Sequence, residues 1–122
     1  MRPSDAAFRH WVAEALALIP EDFQPYLENV VIQVEPWATP ELLREAGLPE
    51  DEDLYGLYLG TPLTEPGRLP GLPDRILIFR EPLMEDFSNR QDLKREIAIT
   101  VIHEVAHHFG IDEGRLEDLG LE

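Results

Sequence analysis

His103-Glu104-Val105-Ala106-His107-His108-Phe109-Gly110 is the stretch that decides how this chain is read. Two histidines four residues apart lie on one face of a helix and can grip one metal ion together, and a glutamate between them can activate water for attack on a carbonyl. At about 100° per residue, with His103 at the origin, His107 falls near 40°, Thr100 near 60° and Glu104 near 100°. Ala98, Val101, Ile102, Val105 and Phe109 fall on the opposite, apolar side. His108 lies about 140° from His103 and so cannot share its metal. We therefore expect His103 and His107 as ligands, Glu104 as the general base, and His108 as a core residue or a hydrogen-bond donor behind the ligands.

The expected metal is zinc. The chain has no cysteine, so only His, Asp and Glu can ligate, and a catalytic zinc needs three protein ligands with a fourth position open. The third ligand must come from beyond the helix, which Gly110 stops. Asp112 and Glu113 are the local candidates. Asp112 has another role open to it, capping a last short helix that contains Leu116 and Leu119, which favours Glu113.

Outward from this helix, the pattern is readable as far as the N-terminus. Ser88, with Gln91 three residues on, forms a capping-box pattern that opens the helix through Leu93, Ile97, Val101, Val105 and Phe109. Arg75–Arg80 encloses the apolar run Ile76-Leu77-Ile78-Phe79, a strand that Pro82 closes. Residues 60–73 hold Pro62, Pro66, Pro70 and Pro73 with Gly60, Gly67 and Gly71, a density that permits only a loop. Leu54–Leu59 reads as an edge strand and residues 30–34 as a buried one. Thr39-Pro40-Glu41 starts a short helix. Ser4 caps a first helix whose Phe8, Trp11, Val12, Ala15, Leu16 and Ile19 recur at helical spacing, and Phe23 to Leu27 form a helical turn after it. Tyr55 and Tyr58 read as packing groups, Met84 as core filler and His10 as a surface residue.

The totals bound the function. A chain of 122 residues, 43% hydrophobic, suits one domain spanning 1–122. Ten basic against 25 acidic residues make the net charge −15, which repels phosphate backbones and anionic membranes and excludes nucleic acid as an expected partner. The functional reading of that charge is attraction for basic peptides; the other is a soluble, self-repelling surface. The apolar segment Val12–Ile19 contains Glu14 and follows Asp5 and Arg9, so it reads as an amphipathic helix and not as a signal peptide; no segment is long enough to span a membrane. A cytoplasmic monomer is the default expectation.

The run His103-Glu104-Val105-Ala106-His107-His108-Phe109-Gly110-Ile111-Asp112-Glu113 resembles the His-Glu-x-x-His-x-x-Gly-x-x-Asp signature of the minimal zincin-like bacterial metallopeptidases, itself similar to that of the metzincins. Leu54-Tyr55-Gly56-Leu57-Tyr58-Leu59-Gly60-Thr61-Pro62-Leu63-Thr64, Leu72-Pro73-Asp74-Arg75-Ile76-Leu77-Ile78-Phe79 and the closing Leu116-x-x-Leu119-Gly120 are similar to the same family. The resemblance implies an α+β fold: a short mixed sheet packed on the active-site helix, an N-terminal helix, a short C-terminal helix, and an edge strand lining a peptide cleft. It implies zinc on His103 and His107, Glu104 as general base, and Glu113 where the family has aspartate. Residues 114–122 contain no methionine for a turn beneath the metal, and no tyrosine or histidine to stabilise a tetrahedral intermediate. Two expectations follow: a zinc peptidase acting on peptide or protein substrates, and, as its alternative, a peptide-binding module on a zincin scaffold with little or no catalysis.

Overall fold

A 20-residue helix, Arg90–Phe109, is the spine of the computed structural model, which describes residues 2–60 and 74–110. Its buried positions Leu93, Ile97, Val101 and Val105 recur every fourth residue, giving this helix, about 30 Å long, one apolar face. Against that face packs the first helix, α1 (Asp5–Ala17), through Phe8, Trp11, Val12 and Ala15. The guanidinium of Arg90 and the ammonium of Lys94 lie over the Trp11 ring, 5.2 and 5.9 Å from its centre, and add cation–π attraction at the rim of this contact.

Among the described residues, three strands complete the architecture: β1 (Val30–Glu35), β2 (Gly56–Leu59) and β3 (Asp74–Phe79), in the order β1-β3-β2. β1 runs parallel to β3, with Ile32 beside Ile76, and β2 runs antiparallel to it, with Tyr58 beside Ile76. The sheet is thus mixed and the fold α+β. β3 is central because Ile76, Leu77, Ile78 and Phe79 are apolar on both faces. Ile76 and Ile78 join the core shared with α1 and the long helix, while Leu77 and Phe79 join Leu57 in a second cluster on the other face. There Leu42 and Ala46, from the short helix α2 (Pro40–Glu45) and its end, cover the sheet. Thr39 caps α2, its hydroxyl accepting from the Leu42 N–H at 3.2 Å, and Ser4 caps α1 through the Ala7 N–H at 3.1 Å. A short 3-10 segment, Glu21–Leu27, links α1 to β1.

Two local expectations are corrected. Pro82 does not close β3. The strand ends at Phe79, and Pro82 sits in the first turn of a further helix, α3 (Arg80–Asp86), where its missing N–H has no partner to lose. The long helix, α4 (Arg90–Phe109), is capped by Asn89 and not by Ser88: the Asn89 side-chain oxygen accepts from the Gln91 N–H at 2.9 Å and the Asp92 N–H at 3.1 Å. Asn serves as well as Ser at this position, and the two backbone donors are the ones a cap should satisfy. Gly110 ends α4 in the left-handed conformation, φ 71°, as its sequence position implied. The Pro/Gly-rich 60–73 stretch, apart from Gly60, and the final helix with Asp112, Glu113, Leu116 and Leu119 lie outside the described residues.

Candidate active site on helix α4

The last two turns of α4 present His103 and His107 outward while Val101 and Val105 anchor the opposite face in the core. The two imidazole centres stand 5.8 Å apart with the rings nearly perpendicular, at 82°. A zinc about 2.1 Å from a ring nitrogen lies about 3.2 Å from that ring's centre, so two rings can share an ion only when their centres are within about 6.4 Å. The pair meets that condition. Among the described residues, no group of three His, Asp or Glu side chains is arranged to hold a metal; the expected third ligand, Glu113, is outside them.

Glu104 leaves the His103–His107 face and turns inward, with only 9% of its surface exposed. Its Oε1 lies 3.2 Å from His107 Nδ1, and its carboxylate also accepts a hydrogen bond from the Tyr58 backbone N–H on the edge strand β2. Burial pushes the carboxyl above its ordinary pKa; the charge of His107 and of His103, and the bonds from His107 and Tyr58, pull against that rise. A carboxylate held this way, beside two imidazoles and raised in basicity, has the chemistry of a general base.

β2 reaches this carboxylate because Gly56 has no side chain. A β-carbon there would stand 2.7 Å from Thr100 Cγ2, 3.1 Å from Glu104 Cγ and 3.3 Å from the Leu77 carbonyl oxygen. Thr100 is buried with its hydroxyl donating to the Glu96 carbonyl at 2.8 Å, so it needs no partner in the cleft. The Tyr55 carbonyl accepts from the Phe79 N–H at 2.8 Å. By strand alternation, Tyr55, Leu57 and Leu59 direct their main-chain groups at β3, and Gly56 and Tyr58 direct theirs at the outer edge.

His108 is the buried hydrogen-bonding residue that its place on the helix led us to expect, 1% exposed, with Nδ1 2.6 Å from Asp74 Oδ2; its partner Asp74, and the part played by Tyr58, were not read from the sequence. Tyr58 is more than a packing group: its hydroxyl donates to the same Asp74 oxygen at 2.6 Å, and its ring meets those of His107 and His108 edge-on. The available signal was Asp74 itself, a carboxylate opening a strand whose last four residues are apolar, where burial demands a partner. Tyr55 donates its hydroxyl to Asp86 instead, on the exposed side.

No helix among the described residues is long and apolar enough to cross a membrane. A conserved hypothetical protein from Thermus thermophilus has a similar structure, with a TM-score of 0.60 and 28% identity over 96% of this chain and 97% of that one. No curated protein matches the chain. The profile of the zincin-like metallopeptidases matches residues 27–121, which takes in all three strands and α4 with both histidines and Glu104. The chain belongs to the zincin-like metallopeptidase family.

Proposed function

We propose that this protein is a zinc-dependent peptidase in which His103 and His107, with Glu113, hold the metal and Glu104 is the general base. The observation that carries the reading is the placement of Glu104: a buried carboxylate 3.2 Å from one histidine of an adjacent pair, pinned against the edge of the sheet. Zinc, when bound, supplies Lewis acidity, polarising a carbonyl and making water a nucleophile near neutral pH.

The protein's own residues do the rest. The outer edge of β2 receives an extended peptide through main-chain groups such as those of Gly56, the Tyr58 N–H being held by Glu104. Gly56 keeps the approach between that edge and Glu104 short. The Glu104 carboxylate takes the proton of the attacking water and returns it to the leaving amine, so one group serves as base and then acid. A chain of net charge −15 favours a basic peptide. The experiment is a peptide-library cleavage screen on metal-stripped and zinc-loaded protein, with Glu104→Gln as control. Chelator-sensitive cleavage that the substitution abolishes supports the reading; cleavage indifferent to both rejects it.

A further inference from the structure

Asp74 opens β3, and its carboxylate is buried, with the residue only 4% exposed. A carboxylate in that position is costly unless it is paired and hydrogen-bonded. Its Oδ2 receives both the Tyr58 hydroxyl and His108 Nδ1, each at 2.6 Å. Facing an oxygen acceptor, Nδ1 is the ring nitrogen that carries the proton and donates. The sheet register explains the reach. Tyr58 stands beside Ile76, so Asp74 is its diagonal neighbour two residues along on the same face, within range of a long aromatic side chain.

One oxygen atom therefore ties together three elements: the start of β3, the edge strand β2, and the last turn of α4. Both of these partners adjoin the reacting groups. Tyr58 gives its own backbone N–H to Glu104, and His108 follows His107 in the chain, with the Tyr58 ring edge-on to both, 6.5 Å from His107 and 5.9 Å from His108. Stability alone is a weak reason for such a cluster, because well-packed apolar side chains do as well or better at a buried ionic site.

We propose that Asp74 is a positioning residue. Through Tyr58 and His108 it holds the edge strand and the ligand-bearing turn at the separation that brings the Glu104 carboxylate and the His107 ring to one point. The consequence for metal rests on the zinc reading above; the clamp itself does not.

The test uses the full chain carrying Tyr58→Phe or Asp74→Asn, in two arms. In metal-free protein, amide hydrogen exchange is expected to quicken about fivefold or more at residue 58 and at residues 106–110, the equivalent of about one lost hydrogen bond, with Phe8–Val12 of α1 unchanged. In the second arm, zinc affinity by chelator competition is expected to weaken about 10- to 100-fold, with a shift in the absorption bands of the cobalt(II)-substituted protein. Unchanged exchange at both places overturns the proposal. So does altered exchange with unaltered zinc affinity and cobalt spectrum, which leaves the cluster a purely structural role. A wild-type chain that binds neither metal removes the peptidase reading instead, and the exchange arm then decides the clamp by itself. If Asp74→Asn does not fold, Tyr58→Phe, which deletes one hydroxyl and no carbon, decides both arms.

Discussion

Glu104 Cγ lies 3.1 Å from the point where a β-carbon on Gly56 would stand. The edge of the sheet and the acid on the helix are thus in contact, with no room for a side chain between them. Gly56→Ala forces Thr100 Cγ2 and the Glu104 side chain to move, and overpacking of this kind destabilises by about 1–3 kcal/mol. Urea unfolding checks it. Adding Thr100→Ser, which removes the methyl group at 2.7 Å, is expected to recover part of the loss. An alanine variant as stable as wild type would show that the strand and helix stand further apart.

The cap of α4 gives a second prediction. Asn89→Ala leaves the Gln91 and Asp92 N–H groups without their side-chain acceptor and is expected to cost about 1 kcal/mol. Ser88→Ala touches no such group and is expected to stay within about 0.5 kcal/mol of wild type. Paired denaturation midpoints separate the two positions, and the reverse order would restore the capping box.

Tyr55 gives a third, away from the proposed metal site. The bond to Asp86, with burial and the charges of Asp86 and Glu96, pushes the phenol up to about 12. The unfolded value is about 10, so the folded state retains the proton longer. Stabilisation from this pair is complete below pH 10 and is lost as pH rises through about 12. Ultraviolet difference titration should show a late-ionising tyrosine component that Asp86→Asn moves back toward 10. A Tyr55→Phe variant that loses an ordinary component, and keeps the late one, contradicts the assignment.

The elements carried by periodicity were legible beforehand: α1 from Phe8 to Ala15, β3 from its four-residue apolar run, α4 from Leu93 to Val105, and β2 as an edge strand. The opposed faces of His103 and His108 followed from helix geometry alone. What stayed hidden depends on contacts between distant segments. Tyr58 and Asp74 are 16 residues apart, and His108 is 34 beyond Asp74. Only the pairing of β2 with β3, and the packing of α4 beneath them, reveals that the three share one oxygen atom. The inward turn of Glu104 was hidden for the same reason, since Gly56 makes the space for it. α3 was missed because a proline reads as a stop in a strand and as a good start in a helix, and Pro82 is adjacent to both.

The most direct measurement of the central claim is the cleavage rate of zinc-loaded wild type against zinc-loaded Glu104→Gln, on one peptide from the library screen, with zinc affinity measured in parallel. Removing a general base is expected to lower kcat by about 10²- to 10⁴-fold, while zinc affinity stays close to wild type because His103 and His107 are intact. Equal rates for the two proteins, or turnover that survives a chelator, would contradict the account.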